Sequence, residues 1–240
     1  MRNDVEETLA AADECIGRLK VKYDEAKRNP TNARISMLEV KTAMDHLRSA
    51  LDYLAVGVRK QLYPNDKNRH KIYFPYHSDP VEVDQRIQLQ YPDLDKSMPQ
   101  LGLLFRSVQS YVVNSDWLLV LCRQHNHAKH EGLPKQERKI RESLDIGGVF
   151  KFGGEFKNIR MWGNIVNGKR LEPNGSVNIS SDMPLPEIQK QYGSTIPVTK
   201  TVDGIEFRIG ETQWDALKLL ETARAAIGPL ASGVFSELKI

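Results

Sequence analysis

The chain has 240 residues, 40% hydrophobic and 27% charged, an ordinary globular balance and enough length for one large domain. Its net charge of +3 is the difference between 34 basic and 31 acidic residues, so a nucleic-acid partner would need a local basic cluster. No apolar run approaches a membrane span, and the acidic start MRNDVEETLAAADE does not resemble a signal peptide. Cys15 and Cys122 both fall among apolar neighbours, which suits small core residues in a reducing compartment. A cytoplasmic protein with no membrane partner is the expectation.

Val5, Leu9, Ala12, Ile16, Leu19, Tyr23 and Ala26 recur at alternating steps of four and three, which predicts a helix with a coiled-coil-like seam ended at Asn29-Pro30. Thr31 or Asn32 can cap a second helix running to about Tyr63, where Pro64 stops it. Its stripe is Met37, Met44, Leu47, Leu51, Leu54, Val58 and Leu62, and the short turn between the two predicts an antiparallel hairpin. Arg48 stands inside that apolar arc. It either pairs with Asp52 one turn on or reaches inward as a positive group for a site.

Pro64 to Arg69 reads as a loop, and Ile72 to Tyr76 as a short extended piece broken by Pro75. Ser78-Asp79-Pro80 opens a helix to about Leu89, and Pro99 opens another that turns Leu101, Leu104, Phe105 and Val108 inward. Asp116 to Leu133, DWLLVLCRQHNHAKHEGL, then begins apolar and ends polar, with half of the six histidines. On a helix, Trp117, Leu118, Leu121, His125 and Ala128 share one side. Arg123, Asn126, His127 and His130 share the other, spaced i, i+3, i+4 and i+7. Such a face suits proton transfer by imidazole and anion stabilisation by guanidinium, or simply a hydrogen-bonded helix end. Leu119 lies on the polar side, which predicts cover from another helix or another subunit. Gly132 and Pro134 end the helix.

Lys135 to Arg141 (KQERKIR) is basic and reads as a solvated face, or as a phosphate-contacting patch that begins with Lys135. From Gly147 to Ile209 β-formers and glycines dominate. Asn167-Gly168 and Asp203-Gly204 are tight-turn dipeptides, so a small antiparallel meander is expected. Glu211 to about Leu238 is predicted helical, with Trp214, Leu217, Leu220, Ile227, Ala231, Val234 and Leu238 on one face and a kink at Gly228-Pro229. A stripe that apolar must return to the helical core.

There is no P-loop, dinucleotide fingerprint or serine elbow. His127 and His130 lie within one helical turn, with His46 and His70 as donors from elsewhere, but no third ligand emerges; no metal or cofactor is expected.

HLRSALDYLAV at 46–56, FPY at 74–76, FRSVQSY at 105–111 and WLLVLCRQHNHAKHEGL at 117–133 form an ordered series. This series resembles a group of uncharacterised bacterial proteins with RSALDHLA, FPI, LQPY and DKHR-type motifs, itself similar to the HEPN superfamily of helical bundles. The resemblance covers roughly residues 1–133. It implies a dimeric bundle directed at RNA or nucleotides, in toxin–antitoxin or defence settings, with a cognate antitoxin as a partner. The ribonuclease signature of that superfamily is Arg, four to six residues, then His with a polar residue between, which Arg123, Asn126 and His130 match. It implies metal-independent RNA cleavage by the 2′-hydroxyl, with His130 as general acid or base and Arg123 holding the phosphate charge. Asn126 and His127 would support them, and Arg48 and Lys129 would contact substrate. Where the bacterial group has Asp-Lys-His-Arg this chain has Ala128-Lys129-His130-Glu131.

The sequence therefore predicts a mainly α protein, an antiparallel helical bundle (1–143) with a β-meander (144–210) inserted before a returning C-terminal helix (211–240). Two functions are in view: a HEPN-like RNA-directed homodimer, or a non-catalytic dimeric helical interaction module.

Overall fold

The computed structural model describes residues 1–29, 33–65, 71–153, 156, 158–166, 168–170, 172, 175–180, 182–193 and 196–240. Pro30, the cap candidates Thr31 and Asn32, most of the 64–69 loop, His70, Gly154 and Asn167 lie outside the described residues. The helices among those described are α1 (Arg2–Arg28), α2 (Met37–Leu62), α3 (Pro80–Gln90), α4 (Leu94–Ser97), α5 (Pro99–Ser107), α6 (Ser110–Val113) and α7 (Trp117–His130). The strands β1 (Gln136–Ile146), β2 (Phe150–Gly153), β3 (Ile159–Trp162), β4 (Ile165–Val166), β5 (Lys169–Arg170) and β6 (Ser176–Ile179) follow. Helix α8 (Leu185–Tyr192), strand β7 (Val198–Ile209) and helix α9 (Ala216–Leu238) complete the order. The fold is mixed, dominated by helices with small antiparallel sheets.

Two compact units result. The first comprises 1–22, 35–137 and 207–240, and the second 23–34 and 138–206. In the first, the α1 seam from Val5 to Leu19 and the α2 stripe of Met44, Leu47, Leu51, Leu54 and Val58 are buried. Arg18 of α1 pairs with Glu39 near the start of α2, while Met1 packs on Gly57 near its end, so the two helices run antiparallel. A Cβ at Gly57 would stand 1.6 Å from the Met1 sulfur, so a larger residue there would displace the Met1 side chain. Asp13 and Lys20 of α1 pair with Arg224 and Glu221 of α9, and α9 also packs on α2, α5 and α7.

Several elements differ from expectation. Helix α2 starts at Met37 because Ser36 caps it, its hydroxyl accepting from the Glu39 amide at 3.2 Å. Ser-x-x-Glu is a capping-box spacing, and residues 33–36 before it are not helical. The basic run after α7 forms the first half of β1, which begins at Gln136, eight residues before the expected sheet boundary. Asp203-Gly204 makes no hairpin turn: β7 runs unbroken through it beside β1. Asp203 instead accepts the Ser143 hydroxyl at 2.9 Å, and the Arg141 guanidinium lies 3.3 Å from where a Gly204 Cβ would be. Long-range pairing has overridden a local turn preference.

Helix α9 begins at Ala216, capped by Asp215, so Trp214 precedes it and its indole donates to Asp116 at 2.7 Å. Pro229 lies inside α9, which continues to Leu238. The short helix α8 interrupts the stretch expected as meander, and Pro184 and Pro186 fall at its cap and first turn, where proline is tolerated.

Among the described residues the second unit holds the sheets β2-β1-β7, β3-β6 and β4-β5. Its core gathers Leu144, Ile146, Met161, Val177, Ile179, Ile188, Tyr192, Ile196 and Val198. Val166 pairs with Lys169 across β4 and β5, and Gly168 has a φ of 76°.

Candidate functional site

The motif residues of the helical unit converge on the extended segment that carries Phe74, Pro75 and Tyr76. Phe74 is buried edge-on to Phe105, with ring centroids 5.4 Å apart, and Tyr91 packs on the same ring. Extended backbone beside a bundle needs polar partners for its amide groups. Asp52 accepts the Phe74 amide at 2.9 Å, and the buried Gln109 donates to the Pro75 and Phe105 carbonyls at 2.9 and 3.0 Å.

Arg48 sits at the centre of this network and is buried. It pairs with Asp52 at 2.9 Å, donates to the Cys122 sulfur at 2.9 Å, and lies 5.0 Å from the Tyr76 ring centroid. Of the two sequence alternatives for Arg48, the pairing with Asp52 one turn on is present, and the guanidinium is buried as it makes it. Burial pushes the Asp52 carboxyl up, against the pull of Arg48 and the Phe74 amide. Burial also pushes the Cys122 thiol up to about 11, although Arg48 opposes it, so Cys122 is a neutral thiol at physiological pH and not a nucleophile.

Helix α7 joins this network through its polar residues. Asn126 lies near the half-buried Tyr76 phenol, which burial pushes up against the opposing pull of Arg48, Arg86 and Asn126. Arg86 donates to the Tyr76 carbonyl at 2.9 Å, and its guanidinium is 5.9 Å from the ring. His125, on the apolar side, contacts Asp45 at 3.0 Å and Asn126 at 3.3 Å, while Lys41 holds the other Asp45 oxygen at 2.6 Å. His125 and Tyr76 escaped the sequence search because each belongs to the site through neighbours from distant helices.

Beyond Asn126 the predicted site residues separate from that network. Arg123, Lys129, His130 and Lys135 are exposed, and among the described residues Arg123 and His130 make no hydrogen bond or ion pair. His127 is partly exposed and contacts Glu131 at 3.0 Å. Arg123 and His130 lie roughly 10 Å apart along the axis, within joint reach of one extended phosphodiester. Leu119, on the polar side, is buried within the single chain, so its apolar character needs no second subunit. A cleft at the α1–α2 contact is lined by Asp4, Thr8, Tyr53, Gly57 and Lys60, and none of the predicted site residues lines it. Among the described residues no three His, Cys, Asp or Glu side chains gather as a metal ion would need. Nor is any described helix long and apolar enough to cross a membrane.

No protein-family profile, curated protein or solved structure matches this chain.

Proposed function

We propose that the chain is a HEPN-like, RNA-directed protein whose exposed α7 face receives the phosphodiester backbone and cleaves it without a metal. The observation that carries this reading is that Arg123 and His130 share one exposed helix face and no described carboxylate neutralises either. The C-terminal half of a helix carries the negative end of the backbone dipole, so an anion bound there must be held by side-chain cations. Arg123, Lys129 and Lys135 are such cations.

In this mechanism Arg123 stabilises the charge that builds on the phosphate, and His130 takes the 2′-hydroxyl proton or supplies one to the leaving oxygen. Asn126 orients the phosphate from the Tyr76 side, and His127 flanks it. Arg48 does not touch substrate; it holds Tyr76 and Asp52. A second copy facing the first across α7 would complete a cleft around the two sets, and a cognate antitoxin would cover it.

The competing reading is a non-catalytic helical interaction module. It is favoured by the pairing of His127 with Glu131, which leaves no side chain to orient His130 among the described residues. Cleavage of labelled single-stranded RNA in EDTA separates the two. The ribonuclease reading requires cutting by wild type that His130→Ala abolishes. Equal cutting by both proteins, or none by folded wild type, removes it.

A further inference from the structure

We infer that the outward face of the β3–β6 ribbon in the second unit binds single-stranded RNA, with Trp162 stacking on a base and Arg160 contacting the backbone. This rests on the RNA-directed reading above, but not on the chemistry assigned to α7.

Successive strand residues point to opposite faces. In β3, Met161 is buried in the unit's core, so Arg160 and Trp162 stand on the other side, both exposed. In β6, Val177 and Ile179 are buried, which turns Ser176 and Asn178 outward. The antiparallel register sets Ser176 beside Trp162 and Asn178 beside Arg160. The neighbours of the indole are therefore short and polar, and it is 66% exposed. An indole normally buries most of its large apolar surface. Here one is held in the open by a rigid pleat.

Charge identifies the occupant. Residues 158–180 contain Arg160, Lys169 and Arg170 but a single acid, Glu172. That acid is wholly buried and faces inward, accepting the Asn164 amide at 2.9 Å and its side-chain nitrogen at 2.6 Å. No described carboxylate of this stretch meets solvent, whereas Arg160 and Arg170 do, so the exposed charge that the stretch itself adds beside the open aromatic plane is cationic. A flexible polyanion with flat apolar rings is complementary to both features, and stacking tolerates any base. Arg160 and Trp162 lie roughly 7 Å apart along the strand, about one nucleotide step. An apolar protein partner would meet Arg160, Ser176 and Asn178 around the indole, with Ile165 as the apolar extension.

The test is anisotropy of a labelled U12 oligoribonucleotide titrated with the full chain in EDTA, at several salt concentrations. Trp162→Ala should weaken binding by about tenfold or more, whereas Trp162→Phe retains most of it. Arg160→Ala should weaken binding and reduce the salt slope by about one. Wild-type affinity in Trp162→Ala, at an unchanged melting temperature, would overturn the assignment and leave the α7 reading standing. Trp162-dependent binding with cleavage or affinity indifferent to Arg123→Ala and His130→Ala would uphold the ribbon and remove the α7 reading. Absence of RNA binding by wild type overturns both. Self-association in sedimentation that Trp162→Ala abolishes, with RNA affinity unchanged, would overturn the assignment in favour of a contact between copies.

Discussion

Arg48 and Arg123 lie on neighbouring helices and carry the same guanidinium, yet their surroundings are opposite. Arg48 is buried, and its donors and face are taken by Asp52, Cys122 and Tyr76. Arg123 is exposed, with no hydrogen bond or ion pair among the described residues. A buried charge must be matched by its fold or it costs several kcal/mol, whereas an exposed one is matched by water and is free to exchange water for a ligand. The contrast teaches that the two arginines cannot share a role. The first is part of what holds the Phe74–Tyr76 segment on the bundle, and only the second is open to an incoming anion.

The largest expected effect breaks the buried side. Arg48→Ala leaves the Asp52 carboxylate without its cation and opens space beside Cys122 and Tyr76, and should cost about 3 kcal/mol in urea unfolding. Preserved stability in that variant would mean the network is dispensable and the contrast is only one of exposure.

A smaller effect concerns His125, which connects the two regions. Its burial lowers its pKa, against the pull of Asp45 and Asn126, so the folded state prefers the neutral ring. For a lowered histidine the unfolded chain binds more protons as pH drops below the ordinary value of about 6.5. The contribution of His125 to stability is therefore complete above that pH and declines as pH falls towards the folded-state pKa. Thermal melts between pH 7.5 and 5.5 should show the decline, and His125→Gln should flatten it. A decline of equal slope in both proteins would assign it to other groups.

The smallest effect on stability is predicted for Arg123→Ala, within about 0.5 kcal/mol of wild type because nothing folded depends on it. On the ribonuclease reading proposed above, the same variant should nonetheless lose RNA cleavage, as His130→Ala should. A large loss of stability would show that Arg123 has a structural partner and would end the contrast.

Much of the helical part is legible without coordinates. The α1 seam and the α2 stripe can be read from spacing alone, because a period of 3.6 leaves a continuous apolar face only in one conformation. The start of α3 at Asp79-Pro80 is equally local, since the cap and the fixed proline φ act within two residues. Elements controlled by pairing at a distance were less legible. Asp203-Gly204 has the composition of a turn but lies within a strand, and the charged residues 136–141 form half of β1 because a partner strand lies alongside.

The candidate site divides in the same way. Periodicity places Arg123, Asn126, His127 and His130 together on one side of α7, a matter of rotation about a single axis. Whether such residues meet solvent or other side chains depends on what packs against that axis. Tertiary structure alone brings Tyr76 to Asn126, Asp45 to His125 and Cys122 to Arg48, across sequence separations that no local pattern spans. It also alone leaves Trp162 uncovered, since strand alternation says that it faces away from Met161 but not that the facing side is empty. Local geometry is encoded residue by residue, while burial is a property of every neighbour at once.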